Sequence, residues 1–185
     1  GILFIVDCAQ SAGVVPIDVE SMCIDVLCFT GHKGLFGIQG TGGIYVADHV
    51  RIRPYMSGGT GSHSFLLRQP TEMPDCFEAG TVNTHGIAAL GAGLDYVSGI
   101  GVGKMQEIHT ELWRYFTTNA RKINGITVYG PEDTGGGMIN TGVVSLNVIG
   151  HEPGEVSMLL GKEGICTRAG YHCAPLAHKA LRTDA

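Results

Sequence analysis

Two short apolar segments that run directly into polar clusters constrain the fold of this chain most. Residues 2–6 are uninterruptedly apolar and end at Asp7, while residues 23–29 form a second, mainly apolar run that ends at residues 30–33. Runs of this kind predict strands buried on both faces of a parallel sheet, and residues 43–46 predict a third. Ligands of open α/β sheets bind beyond the carboxyl ends of the strands. The pattern therefore predicts an α/β fold with a polar, ligand-binding edge.

Two helices are predicted in the middle of the chain. Small and apolar residues dominate residues 85–97, as in a packed helix. Residues 103–123 predict a longer amphipathic helix, because apolar side chains recur there at helical spacing. Its predicted buried face consists of Met105, Ile108, Leu112, Tyr115, Phe116 and Ile123.

Short elements of both kinds are predicted after the second helix. They are strands over residues 126–129, 142–147 and 165–167, and a helix over residues 152–161 with proline in its permitted first turn. We therefore predict the later part of a large α/β domain over residues 1–103 and an incomplete small α+β domain over residues 104–185.

Composition narrows the classes of function. The 185 residues are 44% hydrophobic and 16% charged, which is typical of a globular protein with a core. The net charge of -5 and the lack of a basic patch argue against nucleic acid or an anionic membrane as partner. No apolar run approaches the roughly 20 residues that cross a bilayer, and residues 1–6 lack the flanks of a signal peptide. We expect a cytoplasmic protein.

The six cysteines differ in their sequence surroundings. Cys8, Cys23 and Cys28 lie in apolar runs, and we interpret them as reduced core thiols. Cys173 instead follows a glycine-containing turn, which favours a functional thiol. We predict no metal site. The alternative zinc cluster lacks a paired Cys-x-x-Cys and the usual histidine pair, and would consist of Cys166, His172, Cys173 and His178.

Lys33 and Asp7 are the first candidates for chemistry. A glycine-flanked lysine beyond a strand can be desolvated and act as an amine nucleophile or base. An aspartate at the end of a neighbouring strand can pair with a buried cation. An aspartate facing a pyridinium nitrogen, together with a Schiff-base lysine, is the least that a protein contributes to a pyridoxal 5′-phosphate (PLP) site. The alternative is a surface lysine, which the companion motifs disfavour.

Four motifs follow one another along the chain: Asp7-x-Ala9-Gln10, the Thr-Gly-His-Lys of residues 30–33, the Phe-Glu-Ala-Gly-Thr-x-Asn of residues 77–83, and the Arg-Ala-Gly-x-His-Cys-Ala of residues 168–174. Together they resemble the cysteine desulfurase branch of the class V aminotransferases, which are PLP enzymes of fold type I. The Gly-His-Lys form and the short loop before Cys173 are similar to the SUF-type, or group II, enzymes. The resemblance implies that the chain is a C-terminal piece of such an enzyme.

The resemblance also implies roles around the cofactor. Asp7 would pair with the pyridinium nitrogen, Gln10 would hydrogen-bond the phenolic oxygen, and the methyl of Ala9 would pack on the ring face. Lys33 would hold PLP as a Schiff base and later move a proton at the substrate carbon. The phosphate would be bound by Thr30, by His32 and, across a homodimer interface, by Thr81 of the partner subunit.

The fourth motif implies the sulfur chemistry. Cys173 would take the sulfur of L-cysteine as a persulfide, with formation of L-alanine, and pass it to an acceptor protein, as in iron–sulfur cluster assembly. Arg168 would hold the substrate or the loop, and Arg168 and His172 would favour the thiolate, because positive neighbours stabilise it. Three alternatives remain open. They are a selenocysteine lyase, another class V lyase or transaminase, and a non-catalytic dimerising fragment.

Overall fold

The computed structural model describes residues 1–132 and 139–183, which belong to two compact units. The first unit comprises residues 1–110 and 139–141, and the second comprises residues 111–138 and 142–185. The domain boundary after residue 103 stays a prediction.

A three-stranded mixed sheet forms the centre of the first unit. Its strands β1 (Ile5–Asp7), β2 (Val26–Thr30) and β3 (Gly42–Val46) lie in that order. β1 and β2 are parallel, as predicted, with Asp7 opposite Cys28. β3 runs antiparallel to β2, so the prediction of a third parallel strand is wrong. Residues 31–41 link β2 to β3, and this link is too short for a parallel connection, because a parallel crossover needs about a dozen residues or more.

Burial in this sheet is uneven. Val26 and Leu27 of β2 are buried, at 3% and 8% exposed. Ile5 of β1 is 61% exposed and Ile2 is fully exposed, so the prediction of a strand buried on both faces is wrong for β1. Within the described residues β1 is an edge strand paired only with β2. Its one partly buried residue, Val6, packs against the cluster of Cys8, Ile24 and Leu27.

The three cysteines predicted to lie in the core also differ in burial. Cys8 is 1% exposed and packs with Ile24 and Leu27, which confirms its prediction as a core thiol. Cys23 and Cys28 are exposed, so the prediction is wrong for both. Cys23 has a φ of 53° in a tight turn, and Cys28 is exposed although Val26, on the same face of β2, is buried.

Helix α1 (Thr84–Ile100) packs against the loop that follows β2. Its buried residues recur at helical spacing and are Gly86, Leu90, Gly93 and Val97. Two short 3₁₀ turns, Gly61–His63 and Asp75–Phe77, precede it. The helix predicted over residues 85–97 is therefore confirmed.

Helix α2 (Val102–Ala120) begins in the first unit and ends in the second. Its buried residues are Met105, Trp113, Thr117 and Ala120. Leu112 and Tyr115 are 61% and 72% exposed, so the predicted apolar face is wrong apart from its first residue. Thr117 tolerates burial because its hydroxyl donates to the carbonyl of Trp113 at 2.8 Å.

Among the described residues no single helix is long and apolar enough to cross a membrane, and α1 and α2 meet that criterion only as a pair bent by 77°.

The second unit contains an antiparallel strand pair and two further helices. They are β4 (Ile126–Tyr129), β5 (Ser145–Val148), α3 (Pro153–Lys162) and α4 (Pro175–Leu181). Residues 165–167 form no strand, contrary to prediction. Thr167 bonds the side chain of Ser157 on α3 instead of a neighbouring strand, at 3.0 Å between the two hydroxyl oxygens. α4 was not predicted.

Candidate active site

The loops that follow β1 and β2 touch backbone to backbone. A side chain at Gly13, whose φ is +81°, would collide with the carbonyl oxygen of Gly34. A Cβ atom at Gly34 would lie 2.7 Å from Cγ2 of Val14. Because β1 and β2 are parallel, both loops leave the same edge of the sheet. The segment of Asp7 and the segment of Lys33 are therefore neighbours.

The first of these loops fixes the carboxylate of Asp7. Oδ1 of Asp7 accepts the backbone N–H of Ala9 at 2.8 Å. The N–H of Cys8 donates to the carbonyl of Cys28 at 2.7 Å, so the chain leaves β1 still attached to β2. Asp7 and Gln10 are exposed and Ala9 is half-buried. The three residues predicted to surround a cofactor ring thus begin a single turn.

The second loop has a rigid backbone and a free lysine side chain. Gly31 donates to the carbonyl of Thr41 at 2.9 Å and accepts from the N–H of Gly37 at 2.8 Å. The carbonyl of Lys33 accepts from Phe36 at 3.0 Å. Lys33 itself is exposed. Its amine therefore extends from a fixed base into open space, where it can reach a carbonyl group.

Thr30 and His32 form a hydrogen-bonded pair beside the lysine. Oγ1 of Thr30 lies 2.8 Å from Nδ1 of His32 and 3.4 Å from the carbonyl oxygen of Thr41. When the hydroxyl of Thr30 donates to Nδ1, the proton of a neutral His32 is on Nε2, and that N–H can donate to a phosphate oxygen. When Nδ1 of a neutral His32 instead donates to Oγ1 of Thr30, the hydroxyl proton of Thr30 is free to donate to the anion. The pair can thus supply a donor to an anion from either residue.

Thr81 lies on an exposed turn between Gly80 and α1. Gly80 has a φ of +87° and its N–H donates to the carbonyl of Gly59 at 2.8 Å. The segment before Thr81 thereby contacts a second glycine-rich loop. Residues 57–60 and 66–69 line an open cleft of about 460 Å³ at that loop.

Asn83 has a structural role that the motif alone did not assign. Its Oδ1 accepts the N–H of Gly86 at 3.1 Å and caps α1, while its Nδ2 donates to the carbonyl of Gly40 at 3.3 Å. An asparagine directly before an apolar helical run is the signal that could have predicted the cap. Asn83 thereby connects the start of α1 to the far end of the loop between β2 and β3, residues 31–41, which carries Lys33 and is here called the lysine loop.

The second unit brings Arg168, His172 and Cys173 together in one exposed loop. Nε2 of His172 donates to the carbonyl of Arg168 at 2.9 Å. The N–H of Ala174 donates to the carbonyl of Tyr171 at 2.9 Å, which closes a turn around His172 and Cys173. Their φ angles are 48° and 64°. Positive φ at both central residues is the signature of a type I′ turn, and it costs roughly 1–2 kcal/mol for each residue with a Cβ.

Comparison with known proteins identifies the family. A model of the class V aminotransferases matches residues 1–185. A probable cysteine desulfurase of Methanothermobacter thermautotrophicus is 35% identical over 190 residues, which is 98% of this chain and 45% of that protein. A cysteine desulfurase of Escherichia coli is 35% identical over 179 residues, which is 94% of this chain and 42% of that protein.

Solved structures agree with the sequence relatives. The apo cysteine desulfurase of Thermococcus onnurineus matches with a TM-score of 0.82 and 34% identity, over 97% of this chain and 45% of that one. A cysteine desulfurase from Escherichia coli in an S-sulfonic acid form matches with a TM-score of 0.85 and 25% identity, over 99% of this chain and 45% of that one. The chain therefore has the fold of part of a type I PLP enzyme, as predicted.

The chain belongs to the class V aminotransferase family, and that family depends on PLP. The chain spans just under half the length of the relatives it matches. The residues of the first unit fit the cofactor. Asp7 offers a carboxylate to a ring cation, Lys33 offers an amine to an aldehyde, and the hydrogen-bonded pair of Thr30 and His32 offers a donor to a phosphate. The two loops that carry these groups are in contact.

Proposed function

We propose that this chain carries the cofactor-binding and sulfur-accepting residues of a PLP-dependent cysteine desulfurase. The observation that supports this most is the contact between Gly13 and Gly34, because it places the loop of Asp7 against the loop of Lys33. A second observation is the exposed, strained turn that presents Cys173. Relatives named cysteine desulfurase support the choice of this activity within the family.

Each residue has a defined part in the proposed reaction. PLP supplies an electrophilic carbonyl carbon and an electron-withdrawing ring. Lys33 would hold it covalently, and the Lys33 amine would move a proton at the α-carbon of L-cysteine. Asp7 would keep the ring nitrogen protonated, because a carboxylate stabilises that cation. The pair of Thr30 and His32 would bind the phosphate.

The sulfur step belongs to Cys173. Its thiolate forms an S–S bond to the substrate sulfur while the bond between that sulfur and the substrate carbon breaks. The electron pair of the broken bond remains with the carbon, which takes up a proton, and alanine leaves. Nδ1 of His172 is available to take the thiol proton of Cys173, because its Nε2 already donates to the carbonyl of Arg168. Arg168 contributes a positive charge to the same loop.

An absorption spectrum tests the cofactor site. We expect the purified chain with added PLP to develop a band at the edge of the visible region, and L-cysteine to alter it. Lys33→Ala removes the band, whereas Lys162→Ala, which changes an exposed lysine at the end of α3, leaves it unchanged. A chain that shows no Lys33-dependent band would contradict a working cofactor site in these 185 residues.

Mass spectrometry tests the sulfur acceptor. After exposure to L-cysteine, we expect a gain of one sulfur atom on the peptide that contains Cys173. Cys173→Ala abolishes that gain but leaves the response of the absorption band to L-cysteine. Cys166→Ala, which changes the other exposed cysteine of the second unit, is the matched control and retains the persulfide. Release of selenium from selenocysteine by the wild-type chain, without persulfide formation from L-cysteine, would favour a selenocysteine lyase instead.

We also propose a homodimer in which Thr81 binds the phosphate in the partner's site. The exposed position of Thr81 beside the helix cap is consistent with this role. Lys33→Ala and Thr81→Ala chains are each expected to be inactive or weak alone. A mixture of the two restores one complete site per mixed dimer, whereas no recovery on mixing would contradict a shared site. We further propose that the protein is cytoplasmic, which cell fractionation tests. We also propose that it passes the persulfide to an acceptor protein of iron–sulfur cluster assembly, which pull-down of the persulfidated acceptor tests.

A further inference from the structure

A small group of side chains connects the turn of Cys173 to the end of α4. The ring of Tyr171 meets the ring of His178 edge-on, with centroids 4.9 Å apart and planes at 76°. Nδ1 of His178 lies 2.8 Å from Oγ1 of Thr183. The N–H of Thr183 also donates to the carbonyl of His178 at 2.9 Å. Tyr171, His178 and Thr183 therefore form a continuous chain of contacts, here called the turn clamp.

The turn of Cys173 needs support because its conformation is unfavourable for the residues in it. His172 and Cys173 both have positive φ, a region that side chains with a Cβ rarely adopt. One hydrogen bond, from the N–H of Ala174 to the carbonyl of Tyr171, closes the turn. A strained segment of this kind persists only where surrounding structure holds it.

The turn clamp contacts both ends of this turn. Tyr171 supplies the carbonyl that accepts the closing hydrogen bond and also the ring that meets His178. At the other end, the backbone N–H of His178 donates to the carbonyl of Ala174 at 3.2 Å. His178 is half-buried, whereas Tyr171 is 50% exposed. One residue of α4 thus contacts the residues before and after the two strained ones.

We propose that Tyr171, His178 and Thr183 are positioning residues that hold the turn in its strained conformation and thereby set the direction of the Cys173 thiol. None of the three acts on the reacting atoms. The assignment of a chemical role to that thiol rests on the proposed function, whereas the conformational role of the turn clamp does not. Loss of the clamp allows His172 and Cys173 to relax towards negative φ.

The exchange of the Ala174 amide proton with water, measured by NMR, tests the conformational role. Thr183→Val removes the hydroxyl partner of His178, and Thr183→Ser retains it. Tyr171→Leu removes the aromatic edge contact, and Tyr171→Phe retains the ring. We expect the first variant of each pair to raise the exchange rate about two- to tenfold, as follows from the usual net strength of a hydrogen bond for Thr183→Val and of an aromatic edge contact for Tyr171→Leu. Thr183→Ser restores the wild-type rate, and Tyr171→Phe exchanges more slowly than Tyr171→Leu because it keeps the ring contact with His178.

Amide exchange in β4 and β5 provides the folding control, because those strands belong to the same unit. Unchanged exchange there shows that the second unit remains folded in each variant. If Tyr171→Leu fails to fold, the Thr183 pair alone decides. Wild-type exchange at Ala174 in Thr183→Val would overturn the turn clamp.

Kinetics with PLP and L-cysteine then separate positioning from mere stability. We expect Thr183→Val to lower the kcat of persulfide formation severalfold without change in the KM for L-cysteine, because the clamp acts on the thiol and not on substrate binding. Thr183→Ser restores kcat. Faster exchange at Ala174 with an unchanged kcat would overturn the link to the thiol. A wild-type chain that forms no persulfide contradicts the proposed function instead, and the Ala174 exchange rates still decide the clamp.

Discussion

Gly93 of α1 lies directly against the carbonyl oxygen of Leu35, within the loop that carries Lys33. A Cβ atom at Gly93 would collide with that oxygen and would lie 2.9 Å from the carbonyl carbon of Phe36. The helix and the lysine loop can approach this closely only because Gly93 has no side chain. The position of the lysine loop therefore depends on a residue outside all four sequence motifs.

Two alanine substitutions in α1 separate this contact from helix propensity. Gly91→Ala meets open space, so we expect it to stabilise the chain by up to ~1 kcal/mol through helix propensity. Gly93→Ala has the same propensity gain but overpacks the lysine loop, which costs about 1–3 kcal/mol. Urea unfolding measures both. A Gly93→Ala variant as stable as Gly91→Ala would contradict the packing described here.

Gly34→Ala tests the contact between the two site loops. The new methyl group would lie 2.5 Å from the carbonyl oxygen of Ala12 and 2.7 Å from Cγ2 of Val14. We expect a loss of about 1–3 kcal/mol in unfolding free energy and weaker Lys33-dependent binding of PLP. Gly59→Ala, whose methyl would be 3.6 Å from its nearest neighbour, is the control and should leave both unchanged. Tight PLP binding by Gly34→Ala would argue against adjacent loops.

Asp25 is expected to make the first unit sensitive to acid. The backbone N–H of Phe4 donates to Oδ2 of Asp25 at 2.7 Å, and Nε2 of His49 lies 2.7 Å from Oδ1. The Phe4 hydrogen bond, and to a lesser degree His49, lower the pKa of Asp25 below its ordinary value of 3.8. Because the folded pKa lies below the unfolded one, this contribution to stability is present above the unfolded pKa and is lost as pH falls through the folded pKa.

Variants of this pair give the corresponding measurement. Unfolding by urea across pH 3 to 7 should show a steeper loss of stability on acidification in the wild type than in Asp25→Ala. His49→Ala, which removes only the lesser cause, should fall between the two. Equal pH dependence in all three chains would show that Asp25 does not contribute.

Asn83 is expected to contribute to stability as the cap of α1. Asn83→Ala loses the acceptor for the N–H of Gly86 and should cost about 0.5–2 kcal/mol. Asn83→Asp keeps an acceptor at the cap and loses only the donor to Gly40, so its cost should be smaller. Thermal unfolding ranks the two variants. Equal destabilisation would assign the main effect to the Gly40 contact.

The local properties of the chain were predictable from its sequence. The strands that precede the polar clusters at Asp7 and Lys33 and the helix over residues 85–97 follow from short-range order, namely polar residues after apolar runs and helical spacing. These signals depend only on neighbours along the chain, so they can be interpreted without knowledge of the fold. The same local order carries the resemblance to the family that the whole chain matches. The roles of Asp7, Lys33 and Cys173 stay predictions.

Only the tertiary structure determined the direction of the third strand, the set of buried side chains and the segments that approach one another closely. The short link before β3 reverses that strand, Ile5 of β1 is exposed, and α2 buries Trp113 and Thr117 in place of Leu112 and Tyr115. Residues 165–167 form no strand, and the side chain of Thr167 bonds that of Ser157 on α3 instead. In each case the outcome depends on which surface a distant segment covers. Burial and hydrogen bonding between such segments are set by the packing of the whole unit, which short-range patterns do not encode.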